Sequence, residues 1–138
     1  MKEYLKKVRQ PGQSVNPLFA YLGVVVDEIS PGRTVMHLPF RPDFIQGGGT
    51  IAGGIIATLA DEAMAHAALA GLSPGETTAT IEMNIRYLKA CPSGAITATA
   101  ALIKKGRRVM TLQAELTDDN RQTVALAGAS FMVLPKKE

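Results

Sequence analysis

Alternation of apolar and polar residues marks the second half of the chain. Between positions 78 and 91, Ile81, Met83 and Ile85 alternate with polar neighbours, a period of two that is typical of a half-buried strand. Three more strand-like segments follow, separated by tight polar turns, at positions 95–105, 109–119 and 123–134. Their spacing of about 8–12 residues predicts four strands that form an antiparallel meander.

The first half of the chain contains shorter elements. Residues 1–15 are polar, and we expect this segment to be flexible. Asn16 as an N-cap and Pro17 at the first helical position favour a short helix. Apolar runs at positions 24–29 and 34–40 flank a Ser-Pro-Gly-Arg turn, which predicts a hairpin. A glycine-rich loop follows the hairpin.

The longest apolar stretch, TIAGGIIATLADEAMAHAALAG, predicts a helix from about Gly53 to Ala70 that ends at Gly71 and Pro74. No helix is interleaved among the four later strands, which argues against a doubly wound α/β fold. We therefore predict an α+β fold in a single domain, residues 1–138. An antiparallel sheet of five or six strands wraps around one long central helix in this fold.

Composition and charge narrow the range of functions. The single cysteine, Cys91, is typical of a reducing compartment, and the N-terminus has no apolar segment for export, so we expect a cytoplasmic protein. No apolar run reaches the roughly 18 residues that cross a bilayer. The net charge of +3 is spread over small basic clusters, whereas a nucleic-acid-binding protein usually has a denser basic face. We expect neither a membrane nor a nucleic acid as partner.

The long helix carries two neighbouring acids, Asp61 and Glu62, opposite its apolar stripe. On one interpretation this face lies in water, and Glu62 and His66 form a modest surface pair at i, i+4. On the other, the face is half-buried against a partner or a pocket, because it holds Gly54 and Leu69 and little other charge. We favour the second interpretation, because the helix also begins with two glycines and no capping side chain.

An uncapped helix start presents bare backbone N–H groups that suit an anion or an oxyanion. The chain has only two histidines, His37 and His66, no G-x-S-x-G motif and no cysteine–histidine set at metal-binding spacing. A serine triad and a metal site are therefore not expected. An enzyme with this sequence would use a carboxylate, as base or nucleophile, on a carbonyl polarised by backbone donors.

The stretch AGGIIATLADEAMAHA, together with TIEMNIRYLKAC, KKGRR and AGASFMVL, resembles the hotdog-fold acyl-CoA thioesterases of the phenylacetate-pathway (PaaI-like) type. The resemblance covers nearly the whole chain from Leu18 to Leu134. It implies a hotdog fold and the hydrolysis of an acyl-CoA thioester to a free carboxylic acid and CoA, without a cofactor.

The resemblance also implies roles for single residues. Asp61 matches the catalytic carboxylate, as general base or nucleophile, and the Gly53 N–H matches the oxyanion donor. Thr80 falls where some members place a hydroxyl near the nucleophilic water. Two positions depart from the family pattern: Gln46 stands where several members have asparagine, and Ala52 stands where many have histidine.

Helix geometry adds a prediction about assembly. Asp61 lies eight residues beyond Gly53, about 12 Å along the helix axis, whereas a base and an oxyanion donor must both lie within about 3 Å of the reacting atoms. Two antiparallel helices across a twofold axis satisfy both requirements. We therefore predict a homodimer with shared sites, and a dimer of dimers as the larger assembly to consider. Glu62 points about 100° away from Asp61, so only one of the two acids can face the carbonyl, and the resemblance implies that this acid is Asp61.

Further residues are candidates for contacts with the substrate. Ala52 and Gly54 lie at the helix start, and surface cations would hold the phosphates of coenzyme A by salt-sensitive contacts. These cations are Arg86, Lys89, Lys104, Lys105, Arg107 and Arg108. The alternative is that they are charged gatekeepers of a soluble hairpin.

Two other functions remain open. Hydration or dehydration of an acyl thioester on this fold generally uses a histidine paired with an acid, and position 52 is an alanine. The non-enzymatic alternative is a module that binds acyl-CoA as a sensor without turnover. A regulator would usually carry a fused DNA-binding segment, and we consider the 15 polar N-terminal residues too few for one.

Overall fold

The computed structural model describes residues 1–137. The helices in this range are α1 (Lys2–Lys7), α2 (Pro17–Leu22) and α3 (Gly53–Ala70), with a 3-10 turn at Pro42–Phe44. The strands are β1 (Val25–Ser30), β2 (Arg33–Leu38), β3 (Glu76–Tyr87), β4 (Ile96–Lys105), β5 (Val109–Thr117) and β6 (Thr123–Pro135). The predicted short helix, hairpin, long helix and four later strands are all confirmed, with ends that differ by a few residues.

The strands form one six-stranded antiparallel sheet in the order β1-β2-β4-β5-β6-β3. The hairpin β1–β2 and the meander β4–β5–β6 agree with the sequence. The predicted four-strand meander is wrong at its first strand, because β3 pairs with β6 along its length and forms one edge of the sheet. Residues 88–95 join β3 to β4, and this connection is longer than the 2–5 residues that usually close a hairpin.

The long helix α3 packs against all six strands. Small side chains on its buried face let the backbone lie close to the sheet, so the sheet curves around the helix. The buried residues of α3 are Ile56, Leu59, Ala60, Ala63, Met64, His66, Ala67 and Ala68. Burying an isoleucine, leucine or methionine side chain of this kind contributes about 1.5–3 kcal/mol. The result is the α+β hotdog architecture that the sequence implies.

The N-terminal segment has more structure than its sequence indicates. Helix α1 contacts α3, and Val8, just after α1, is only 3% exposed. The Tyr4 hydroxyl lies 2.9 Å from Nε2 of His66 on α3. A six-residue helix with two aromatic or aliphatic anchors gives too weak a periodicity to be predicted. None of the helices in residues 1–137 has the length and apolar character that crossing a membrane requires.

Candidate active site

The start of α3 carries free backbone amides. Ala52 precedes the helix and provides no side-chain cap. Its carbonyl accepts hydrogen bonds from the amides of Ile55 and Ile56, at 3.0 and 3.3 Å. Within residues 1–137, the Gly53 and Gly54 N–H groups have no hydrogen-bond partner. The first-turn amides of a helix point out along its axis, and the helix dipole favours a negative charge in front of them.

The glycine-rich loop before α3 is closed by Gln46. The side-chain Nε2 of Gln46 donates to Thr50 Oγ1 at 2.9 Å, and its Oε1 accepts from the Gly48 N–H. The backbone N–H of Gln46 also donates to the Thr50 carbonyl. A Cβ at Gly48 would lie 3.0 Å from Nε2 of Gln46, so the Gln46 side chain packs closely against this position. In the structure, Gln46 therefore shapes the loop that leads into the helix start.

A cavity of about 330 Å³ lies beside the helix start. Gln46, Gly53, Tyr87 and Cys91 are among the residues that line it. The Tyr87 hydroxyl, at the end of β3, donates to the carbonyl of Gly53 at 2.6 Å. Gly54 is exposed, and a Cβ at this position would have no neighbour within 4 Å. The two free amides are thus accessible next to a concave surface.

Asp61 lies two turns further along α3, on the side that faces β3. Its side chain is half-buried, and Oδ1 accepts a hydrogen bond of 3.2 Å from the Thr80 hydroxyl. The β3–β6 register shifts at Ile81, between Thr80 and Glu82. A bulge of this kind changes the direction of the neighbouring side chains. The structure thus brings Asp61 and Thr80 together.

The predicted site residues form two groups within one chain. Gln46, Gly53 and Gly54 surround the helix start, whereas Asp61 and Thr80 lie about 12 Å along the helix axis. Both groups contact β3, the first through Tyr87 and the second through Thr80. The same edge strand therefore runs past the two halves of the candidate site.

The second acid, Glu62, and His66 face α1 instead. His66 is only 2% exposed, so the interpretation of Glu62 and His66 as a surface pair is wrong. The His66 Nδ1 lies 2.7 Å from the Glu62 carbonyl, which can only accept. Nδ1 therefore carries the proton, and Nε2 of the neutral ring accepts from the Tyr4 hydroxyl. The His66 ring also packs on Phe19, with ring centroids 5.0 Å apart.

Burial shifts the ionisation of this pair in opposite directions. It raises the pKa of Glu62, and the repulsion of the neighbouring Asp61 adds to that shift. It lowers the pKa of His66, although the hydrogen bond to the Glu62 carbonyl opposes the change. Both shifts favour the neutral forms, because a low-dielectric environment disfavours the charged ones.

The predicted phosphate-binding cations do not converge within one chain. Their positions can be compared along β6, which neighbours both. Arg86 on β3 lies opposite Leu126 of β6. The Arg108 carbonyl accepts a hydrogen bond from the N–H of Val133, seven residues further along β6. This separation is about 23 Å. Lys105 and Lys89 are engaged in ion pairs with Glu76 and Asp118. Among the ion pairs of residues 1–137, none involves the four remaining cations, Arg86, Lys104, Arg107 and Arg108.

Sequence reasoning missed the roles of Tyr87, Tyr4 and His66. Tyr87 ends the alternating run of β3 on the same side as Met83 and Ile85, so the pattern reads it as a packing residue. His66 falls at the edge of the polar helix face, and nothing in the sequence places α1 over it. Each contact depends on an element that lies far away in the chain.

A single antiparallel sheet that wraps around one long helix defines the hotdog fold. Residues 48–125 match the family model of the thioesterase superfamily. This match covers more than half of the chain, so the protein belongs to the thioesterase superfamily. Its general reaction is the hydrolysis of a thioester.

Individual relatives agree with this assignment. The chain is similar to 1,4-dihydroxy-2-naphthoyl-CoA hydrolase of Listeria monocytogenes, with 24% identity over 85% of this chain and 95% of that one. It is 27% identical to a protein of Saccharolobus solfataricus named as a candidate esterase, over 99% and 97% of the two chains. The crystal structure of a thioesterase family protein from Silicibacter pomeroyi superimposes with a TM-score of 0.86 and 25% identity, over 96% of this chain and 99% of that one.

Proposed function

We propose that this protein hydrolyses an acyl-CoA thioester to a free carboxylic acid and CoA. Asp61 acts as general base or nucleophile, and the Gly53 amide is the oxyanion donor. The observation that carries the proposal is the pair of free amides at Gly53 and Gly54 beside a cavity, on the same helix as a half-buried carboxylate. The naphthoyl-CoA substrate in the name of the Listeria relative supports a CoA thioester, and the sequence motifs support the PaaI-like type.

Either of two routes leads from the thioester to the free acid and CoA. As a base, Asp61 takes a proton from water while the water oxygen bonds to the thioester carbon. The carbonyl oxygen becomes an oxyanion that accepts from the backbone amide. The C–S bond then breaks, the carbonyl re-forms, and the thiolate of CoA takes the proton. As a nucleophile, Asp61 displaces the thiolate to give a mixed anhydride, which water hydrolyses. Thr80 occupies Oδ1 of Asp61, which leaves Oδ2 for water or substrate.

A homodimer completes the site in this proposal. In one chain β3 contacts Asp61 through Thr80 near its start and Gly53 through Tyr87 at its end. If two β3 edges pair antiparallel across a twofold axis, each start lies beside the other's end. Asp61 then approaches Gly53 of the partner subunit. The edge is long, at 12 residues, and its Ile81 is 48% exposed, features that favour pairing with another strand.

The same symmetry offers a phosphate site. The β4–β5 turn of each subunit lies beside the start of its own β3. Arg86, near the end of β3 in one subunit, would therefore approach the β4–β5 turn of the partner subunit. Arg86, Lys104, Arg107 and Arg108 would then form a single cationic region for the phosphates of coenzyme A. Within one chain the distance of about 23 Å along β6 keeps Arg86 away from the turn.

The positions of the two histidines argue against a hydratase. The His37 Nδ1 lies within hydrogen-bond distance of the Asp27 carboxylate on the β1–β2 hairpin, at 2.7 Å. His66 is buried against Phe19 and Tyr4. Neither ring lies at the cavity beside the helix start, where a histidine paired with an acid would be needed. The hydrolase therefore fits the site better.

A thiol-release assay across aromatic and aliphatic acyl-CoA thioesters tests the proposal. We expect free thiol and free acid in equal amounts from at least one of them. Asp61→Asn should lower kcat by about 10²- to 10⁴-fold, because it removes the base, whereas the matched variant Glu62→Gln should stay within a few-fold of the parent. Tight binding of acyl-CoA without thiol release would support the sensor, and the reverse result for the two variants would move the role to Glu62.

A further inference from the structure

The hydroxyl of Tyr87 contacts the peptide group between Gly53 and Gly54, which contains the second free N–H of α3. This hydroxyl donates to the Gly53 carbonyl at 2.6 Å. The Gly53 carbonyl and the Gly54 N–H belong to one planar peptide group. A hydrogen bond to the carbonyl therefore acts directly on the Gly54 amide.

The two free amides have their carbonyl ends held in different ways. The Gly53 N–H shares a peptide with the Ala52 carbonyl, which accepts from Ile55 and Ile56 of the helix itself. The Gly54 N–H shares a peptide with the Gly53 carbonyl, which accepts from Tyr87 on β3. The first peptide is thus fixed by the helix, and the second is fixed in addition by a side chain from the sheet edge.

We propose that Tyr87 is a positioning residue for the hydrolysis proposed above. Its hydroxyl orients and polarises the Gly53–Gly54 peptide, so that the Gly54 amide joins the Gly53 amide as a second donor to the oxyanion. Linked hydrogen bonds polarise one another and strengthen. A donor on the carbonyl makes the N–H at the other end of the same peptide a stronger donor.

The surroundings of the contact favour this role over packing. Tyr87 is 50% exposed in one chain, so its hydroxyl is not needed to satisfy a core within that chain. Its ring lies so close to Gly53 that a Cβ there would meet the ring Cζ at 3.0 Å. Gly54 is exposed, and a Cβ at this position would have no neighbour within 4 Å, so the surface around the second free amide is open.

The direct test is the amide spectrum of Tyr87→Phe, which keeps the ring and removes only the hydroxyl. In glycine-labelled protein, we expect the Gly54 N–H proton and the Gly53 carbonyl carbon to move upfield. The Gly53 N–H proton should move less, because its peptide is held by the helix. Unchanged Gly54 and Gly53 carbonyl signals would overturn the proposal. This readout does not need turnover, so a failure of this inference can be distinguished from a failure of the proposed thioester hydrolysis.

Kinetics give the second test. We expect Tyr87→Phe to lower kcat about three- to tenfold, a fraction of what the loss of a whole oxyanion donor costs, with little change in KM or in melting temperature. Tyr21→Phe is the matched control, because Tyr21 is 75% exposed on α2 and its hydroxyl makes no hydrogen bond to residues 1–137. A loss confined to KM or to stability would indicate a packing role and would contradict the proposal.

Discussion

Two adjacent carboxylates on α3 lie in different surroundings. Asp61 accepts from the Thr80 hydroxyl at the edge strand. Glu62 faces the N-terminal helix, where burial raises its pKa and its carbonyl holds His66. The difference follows from the 100° rotation between neighbouring helix positions. It supports the choice of Asp61 over Glu62 that the sequence makes, and that choice stays a prediction until the variants are assayed.

The buried His66 predicts a pH dependence of stability. Because burial lowers its pKa in the folded protein, the unfolded chain binds a proton first as the pH falls below about 6.5. The contribution of the neutral ring is therefore complete above pH 6.5 and is lost as the pH falls towards the folded-state pKa. Glu62 works in the opposite direction, since its raised pKa favours the folded state once it is protonated.

We expect His66→Phe to weaken the dependence of stability on pH below about pH 6.5, because phenylalanine fills the aromatic site beside Phe19 and does not titrate. Urea unfolding at pH 7.5 and at pH 5.5 measures this effect. Between these two pH values, the variant should lose less unfolding free energy than the parent. An equal loss of unfolding free energy in the His66 variant and the parent would show that this ring does not control the fall in stability at acid pH.

At the level of elements, the start of α3 allows the amide donor to be removed without changing the helix. Position 53 is the first helical residue, where proline is tolerated, and Ala52 already has the extended ψ of 134° that a following proline requires. Gly53→Pro should therefore lower kcat by about 10²- to 10³-fold, because it removes an oxyanion donor. Gly53→Ala makes the same contact with Tyr87 but keeps the N–H.

Comparison of these two variants isolates the amide. Steady-state kinetics should show a much larger loss in kcat for Gly53→Pro than for Gly53→Ala, with circular dichroism confirming that both fold. Equal losses would mean that the contact of the new side chain with the Tyr87 ring, and not the missing N–H, affects turnover.

The β4–β5 turn offers a separate prediction about the CoA end of the substrate. Replacing Arg107 and Arg108 by alanine should raise KM for a CoA thioester by about tenfold, because two charge-assisted phosphate contacts are lost. Hydrolysis of the matching N-acetylcysteamine thioester, which has no phosphates, should hardly change. The difference should shrink at high salt, because salt screens exposed charges. A similar loss on both thioesters would contradict a phosphate-binding role.

Local signals in the sequence were sufficient for most elements. The helix start at Gly53 and the Asn16 cap of α2 are confirmed, since Asn16 Oδ1 accepts from the Phe19 N–H. The pairing of β3 with β6 could not be predicted, because their paired residues lie 38 to 59 positions apart in the chain. A period of two identifies a strand but does not identify its partner. The helix α1 was missed because Tyr4 and Val8 acquire their neighbours only in the folded chain.

The candidate site also has features that the sequence predicts and features that it does not. The resemblance provided Asp61 and Gly53, and the structure adds the contact of Thr80 with the first. The hydrogen bond of Tyr87 to the second could not be predicted, because it joins positions 34 residues apart across the helix and the sheet edge. Contacts of this kind depend on the crossing of two elements, which no single segment encodes.

At the scale of the whole molecule, the proposal of a shared site predicts complementation between two inactive variants. In a purified heterodimer of Gly53→Pro and Asp61→Asn subunits, one site combines both defects and the other combines two intact groups. We expect about half of the parent's turnover per dimer, with each parental homodimer close to inactive. Two affinity tags, used in succession, isolate the heterodimer for the assay. If each chain held a complete site, the heterodimer would be as inactive as the two homodimers.

The uncovered edge of β3 has a last consequence. A solitary copy of the chain would leave a 12-residue ladder of backbone groups and the side chains of Ile81 and Tyr87 open to solvent. If two of these edges pair as proposed, mass action links catalysis to enzyme concentration. Below the dissociation constant of the dimer, specific activity should fall with dilution, and the freed edges should aggregate more readily.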